Sequence, residues 1–297
     1  MDKQEYFEMI KKHEYFGLLS NLLCTDVACN IIELIPVLTD DNIDEAVSMW
    51  CGSGRDRRKV WSLYGHIRNW DVSRVTNMRY LFMGKKWFND DISKWDVSHV
   101  TDMTSMFALA KSFNKPLNKW NVSSVTDMTR MFFQAESFNQ SLNNWDVSNV
   151  IVMRGMFANA NSFNQPLNGW VVKNVKCMSQ LFIGATSFNQ HLNDWNVSNV
   201  TNMEYMFAYA ISFDRPLNKW NMVNVRGMSH MFDNARSFNR PLNKWNVSNV
   251  EEMDFMFNHA SSFNKRLTNW NVSNDTDIRS MFLYAPTKPP SWYLERL

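Results

Sequence analysis

Ser137–Asn161 reads SFNQSLNNWDVSNVIVMRGMFANAN, and variants of the same 25-residue string run on either side of it with no residue inserted or deleted. Trp70, Trp95, Trp120, Trp145, Trp170, Trp195, Trp220, Trp245 and Trp270 stand 25 apart and account for nine of the 13 tryptophans. A second column holds Phe82, Phe107, Phe132, Phe157, Phe182, Phe207, Phe232, Phe257 and Phe282. A third runs from Met78 to Met253 and ends in Ile278, which explains much of the count of 20 methionines. Self-similarity at a fixed period decides the architecture before any local propensity does. One such unit cannot bury its Trp, Phe, Met and Leu alone, so the units must stack, and constant length keeps every column in register.

Within the unit the apolar period changes. Trp145 and Val147 have the two-residue spacing of a short strand, whereas Val150, Met153, Met156, Phe157 and Ala160 fall within one stripe of a helix. The pattern predicts an α/β fold: a leucine-rich-repeat-like solenoid of nine 25-residue strand-turn-helix units with a helical N-terminal cap. Ser148 and Asn149, or Thr126 and Thr201 in other units, stand where they would cap the helix start. The Asn column from Asn89 to Asn264, with Asp214 as its one acid, is expected to form an internal ladder satisfying backbone groups at a bend. The expected organisation is a helical cap or docking segment over 1–63, the solenoid over 64–285 and a closing cap over 286–297, where Pro286, Pro289, Pro290 and Trp292 follow the last unit.

The composition, 45% hydrophobic with 14% aromatic, is ample for a large core. The net charge of +2 argues against a nucleic-acid partner, but its distribution is uneven: residues 1–50 hold ten acids against three lysines, a balance of −7, and the other 247 residues carry +9. Cys24, Cys29, Cys51 and Cys177 show no paired spacing, so neither a disulfide framework nor a zinc site is expected. The N-terminus MDKQEYFEMIKKHEYF lacks the order of a secretory signal, and no apolar run reaches the length of a membrane span, which points to an intracellular location.

No phosphate-loop or dinucleotide motif occurs, and His13, His66, His99, His191, His230 and His259 lack metal-ligand spacing. Asp71, Asp96 and Asp146 share a column, and paired carboxylates are the raw material of glycoside hydrolysis. The column turns into Asn121, Asn196, Asn221, Asn246 and Asn271, however, which reads as a structural amide ladder. No catalytic, cofactor-binding or metal-binding residue is expected, and the chain reads as a non-enzyme.

The strings FNQSLNNWDVSNV, FNQHLNDWNVSNVTNMEYMF and WDVSHVTDMTSMF resemble the BspA-like leucine-rich repeat surface proteins, specifically the 25-residue repeat of mycoplasma lipoproteins that giant DNA viruses also encode in many copies. The likeness covers about residues 38–285, because LTDDNIDEAVSMW followed by YGHIRNWDVS is similar to the lead-in of that family. The resemblance implies a surface or interaction protein without assigned chemistry. The units WVVKNVKCM at Trp170 and WNMVNVRGM at Trp220 depart from its pattern.

The function expected from these readings is a protein-protein interaction or assembly scaffold. Its candidate face is Lys94, Asp96, Lys119, Asn121, Asn144, Asp146, Asp194, Asn196, Lys219, Asn221, Lys244 and Asn246, the side chains that flank the buried Trp and Val positions. Tyr80, Tyr205 and Phe255, in a variable column of the expected helix, are candidate exposed aromatics. A basic C-terminal third, with Arg215, Arg226, Arg236 and Arg240, stands opposite the acidic N-terminus and would suit self-association; the resemblance to viral members implies, as an alternative, a structural component of a giant-virus particle with capsid proteins as partners. A further alternative is an adaptor, since Leu23, Asp26, Val27, Ile31, Ile32, Ile35 and Trp50 resemble an F-box.

Overall fold

The computed structural model describes residues 37–296. Three short helices lie at the two ends: α1 (Ile43–Trp50), α2 (Gly54–Tyr64) and, near the C-terminus, α3 (Ser291–Leu294). Between them the 25-residue units form coils laid one upon the next. Each coil meets the following one at a single parallel bridge, from Asn77 with Asp102 through to Glu252 with Asp277.

Neither half of the expected strand-turn-helix unit forms. The described repeats contain no multi-residue strand and no α-helix, so the α/β leucine-rich-repeat-like reading is overturned. The strand fails because its backbone groups are used locally. The N–H of Trp145 donates to the Leu142 carbonyl at 3.0 Å and that of Val150 to the Val147 carbonyl at 3.0 Å, two successive tight turns. The N–H of Ser148, between them, donates to Oδ1 of Asp146 at 3.0 Å. Three of the donors a ladder would draw on are taken up inside the coil.

The helix fails for a different reason. Gly155 and Asn159 both have positive φ, as do their counterparts in every unit, among them Tyr80, Ser105, Leu109, Arg130, Gln134, His230 and His259. A left-handed residue every four positions breaks the right-handed spiral. The N–H groups then divide into two sets. Those of Met156, Ala158 and Ala160 close turns onto residues three earlier, and those of Met153, Gly155, Phe157 and Asn159 donate to carbonyls of Cys177, Ser179, Leu181 and Ile183 in the next coil at 2.7–3.0 Å. The segment is a ribbon of turns welded edge to edge to its neighbour. Met153, Met156, Phe157 and Ala160 still point inward, which is why their spacing imitates a helix.

The core is three columns of rings with the aliphatic side chains between them. Phe132 lies parallel to Phe157 at 5.7 Å, Phe138 to Phe163 at 6.1 Å, and Trp170 to Trp195 at 6.2 Å. Within one coil the two phenylalanines come closer, 4.0 Å between Phe132 and Phe138. A buried Trp removes about 150–250 Å² from water, roughly 4–6 kcal/mol of gross driving force per ring. From Trp95 to Trp270 each column indole Nε1–H also donates across the junction to a carbonyl 28 residues earlier, Trp145 to Leu117 at 2.9 Å and Trp170 to Leu142 at 2.8 Å. Trp thus fills the core and ties coil to coil at once.

The expected Asn ladder is present, at the half-buried rim of the coils. Oδ1 of Asn114 accepts from the N–H of Asn139, Oδ1 of Asn139 from Asn164 and Oδ1 of Asn164 from Asn189, at 2.9–3.0 Å. Asp214 serves in the same way, accepting from Asn239 at 3.0 Å. Asn149 caps no helix; its Nδ2 donates to the Ser123 carbonyl of the preceding coil at 2.8 Å.

At the N-terminal end Thr39 bridges to Arg74, Asp40 accepts from the N–H groups of Thr76 and Asn77, and Trp50 sets its edge on Trp70 at 5.8 Å. At the other end Trp292 stacks on Trp270 at 6.5 Å and donates to the Leu267 carbonyl at 3.1 Å, taking the place of the next column Trp three residues early. The helical reading of Tyr6, Phe7, Ile10, Leu18, Leu19, Leu22 and Leu23, and the F-box-like residues Leu23–Ile35, lie outside the described residues.

Candidate interaction surface

All twelve residues of the expected face are exposed, but they do not lie on a sheet. They occupy the two turns on either side of the buried Trp. The Asp and Asn members are largely engaged in holding those turns: Asp96 accepts from the N–H of Ser98 at 3.0 Å, Asn121 from Ser123 at 3.2 Å, Asn196 from Ser198 at 3.1 Å, Asn221 from Val223 at 3.2 Å and Asn246 from Ser248 at 3.2 Å. Each bond stays inside its own coil. The column is therefore a series of Asx turns, and the amide ladder expected here from Asp71 to Asn271 belongs to the Asn89 to Asn264 column instead.

The same bonds decide the acid chemistry. The Ser98 side chain and backbone N–H hold the Asp96 carboxyl below the usual carboxylate range, and Ser148 does so for Asp146. Two carboxylates held ionised, two coils apart, offer no proton donor for glycoside hydrolysis.

The lysines of the face are freer. Lys219 Nζ lies 2.6 Å from Asp194 of the preceding coil, which shows that side chains at this position reach one another across a junction. Lys94, Lys119 and Lys244 make no ion pair among the described residues. They present ammonium groups at a register set by the coil, which changes little because the Trp beneath is buried to within a few per cent.

Tyr80, Tyr205 and Phe255 share a column as expected, at a left-handed turn position and not on a helix. Tyr80 is 49% exposed, with the Arg79 guanidinium 5.3 Å from its ring. Tyr205 and Phe255 are half-buried, because His230 is sandwiched between them at 4.5 and 4.8 Å. His230 Nδ1 is 2.9 Å from the buried Asp233, and Ser229 Oγ donates to Asp254. A serine, a histidine and two aspartates thus meet, but the serine is bonded to an aspartate and not to the imidazole, so the relay of a nucleophilic triad is not assembled. Nearby, burial raises the Glu252 carboxyl above its ordinary range, with Glu204, Asp254 and Asp277 adding to the effect. Among the described residues no group of three or more His, Cys, Asp or Glu has metal-holding geometry. Burial likewise pushes the Cys51 thiol up to about 11, away from nucleophilic use.

Sequence reasoning missed the two most exposed aromatics, Trp87 at 87% and Tyr284 at 69%, and also Tyr209 at 50% and Trp61 at 44%. The available signal was that Trp61 and Trp87 fall outside the 25-residue Trp column and so have no core site reserved for them.

Among the described residues no helix is long and apolar enough to cross a membrane. No curated protein and no solved structure matches the chain. Four overlapping stretches, residues 57–170, 118–215, 152–253 and 189–290, match the profile described as Mycoplasma protein of unknown function, DUF285. These stretches cover most of the chain without a break, and the protein belongs to the DUF285 family.

Proposed function

We propose that the protein is a non-enzymatic scaffold that binds a protein partner along the exposed turns flanking the Trp column, within the cell. One observation carries this reading: Lys94, Lys119 and Lys244 project from rigid, mutually bonded coils and are engaged by nothing among the described residues. Cationic side chains held at a fixed backbone spacing suit an acidic partner, because binding then loses little backbone freedom. Kinship with the BspA-like surface proteins is part of the proposal at the level of the repeat sequence alone, without their leucine-rich-repeat fold.

The test is affinity purification of the tagged full-length chain from its native setting, followed by mass spectrometry, beside the variant K94E/K119E/K219E/K244E. All four lysines are exposed, so the variant keeps the fold, which circular dichroism checks. Partners that vanish with the lysines support the proposal. Partners retained in full by the variant refute it, and capsid proteins or ubiquitin-ligase subunits among them would replace it with the particle-component or adaptor reading.

A further inference from the structure

We infer that the ribbon of turns in the last four coils docks an arginine-bearing segment of a partner protein, its guanidinium groups laid on Tyr209 and Tyr284. These two share a column with His259, and Tyr205, His230 and Phe255 hold the column four residues earlier. All six have positive φ, a conformation that disfavours any residue with a Cβ and that the same columns meet elsewhere with Gly84, Gly155 and Gly184. Tyr209, His259 and Tyr284 are exposed, so burial in the core does not account for rings at these positions. Backbone strain kept at exposed positions points to what the side chains present. The rings also adjoin one another. His230 lies between Tyr205 and Phe255 at 4.5 and 4.8 Å, and His259 lies on Tyr284 at 4.4 Å. Burial raises the Tyr205 phenol, with Asp254, Glu204, Asp233 and Tyr209 near enough to add to the effect.

Charge decides what this surface takes. The ribbon stretches 202–209, 227–234, 252–259 and 277–284 hold five acids against Arg279, and Arg279 is closed on Asp277 at 2.6 Å. Among the described residues Glu204, Glu252 and Asp254 pair with no lysine or arginine. The ribbon near its other end shows the fitting occupant: the Arg79 guanidinium stands 5.3 Å from the Tyr80 ring, and that of Arg130 stands 5.8 Å from Phe133. Among the described residues no cation lies over a ring of the last four coils. A partner's arginine would supply there what the chain supplies for itself in the first and third coils, a flat cation that stacks on a ring and forks onto a carboxylate. The ribbon is a different stretch of the coil from the turns that carry Lys94, Lys119 and Lys244, so this inference and the lysine face stand or fall separately.

The experiment is fluorescence anisotropy on the full-length chain with labelled peptides of alternating Ala and Arg, Ala and Lys, or Ala and Glu. The arginine peptide is expected to bind, the lysine peptide to bind several-fold more weakly and the glutamate peptide to show no binding. Y209N/Y284N installs the residue that the column already carries at Asn159 and Asn234, so the fold should stay and the urea midpoint should not fall. That variant should weaken the arginine peptide about tenfold, the loss of two exposed ring contacts. E204Q/E252Q should also weaken it several-fold, whereas E136Q/D194N, which removes two acids elsewhere on the surface, should change it by less than about twofold. Affinity unchanged in Y209N/Y284N, an equal loss in E136Q/D194N, equal affinity for the lysine and arginine peptides, or no binding at millimolar peptide would overturn the inference. So would dimers of the chain alone that Y209N/Y284N dissolves, since a second copy would then be the occupant.

Discussion

Gly184→Ala and Gln134→Gly separate the ribbon of turns from the helix that the periodicity suggests, because the two conformations demand opposite signs. In an exposed helix interior Ala is better than Gly by about 0.8–1 kcal/mol, so G184A would stabilise and Q134G would destabilise. In the structure Gly184 has φ +64, and a Cβ built there would sit 2.1 Å from Oδ1 of Asn159. The left-handed conformation costs a residue with a Cβ about 1–2 kcal/mol, and displacing the Asn159 side chain adds roughly 1 kcal/mol for its off-rotamer position. G184A is therefore expected to destabilise by about 2–3 kcal/mol. Gln134, at φ +54, is already under that strain. Gly relieves about 1–2 kcal/mol of it and costs about 0.5–1 kcal/mol in chain entropy, a net gain near 0.5–1 kcal/mol. Urea denaturation followed by tryptophan fluorescence reads both as shifts in midpoint at unchanged slope. Asn159→Ala removes the amide that the new Cβ would meet and keeps the strain at both positions, so G184A should cost less in the N159A background than in the parent. A stabilised G184A together with a weakened Q134G would refute the ribbon and restore the helix.

Trp145→Phe leaves the buried Leu117 carbonyl without its 2.9 Å donor and opens space in the ring column; a loss of about 2–4 kcal/mol in urea denaturation is expected, and a loss under 1 would mean the indole serves only as filler. Asn139→Ala deletes the acceptor for the N–H of Asn164 and for Nε2 of Gln165 and should cost about 1–2 kcal/mol, whereas Asn139→Asp should be nearly silent at pH 7 because Asp214 already does this work. Asp96 and Asp146 have depressed folded values, so the stability they lend is present above about 3.8, the ordinary aspartate value, and is lost as pH falls through the lower folded values. D96N/D146N retains the Asx oxygen and should match the parent at pH 7 while showing a shallower acid limb; identical limbs would sink this account. Glu252 works in the opposite direction: its raised value favours the protonated form in the fold, so stability falls as pH rises through it, and Glu252→Gln should be stabilised at pH 7 with the advantage fading below about pH 4.5.

The sequence made the columns legible and hid the path between them. Invariant spacing places Trp145, Phe157, Met153 and Leu142 in the core whatever the backbone does, since only stacking buries them, and all four are buried. Their order along the chain reads as a helix because positions 153, 156, 157 and 160 fit a 3.6-residue period. A chain of turns that reverses hand every four residues turns the same positions inward, so periodicity alone does not separate the two. What separates them is the fate of the N–H groups, and Met153 and Phe157 send theirs to residues 24 further on, a partner no local pattern encodes. One signal was available in the left-handed column Gly84, Leu109, Gln134, Asn159, Gly184, Tyr209, Asn234, His259, Tyr284, where Gly and Asn recur at a position a helix would not favour. Its companion column, with Tyr80, Arg130, Tyr205 and Phe255, gives no such sign: there the bonds on both sides of the coil impose the conformation on side chains that resist it. The same rigidity fixes the spacing of Lys94, Lys119 and Lys244. Their exposure followed from flanking a buried Trp, but their independence from Asp96 and Asn121 did not, because only the fold shows that those carboxylates and amides are bound within their own turns.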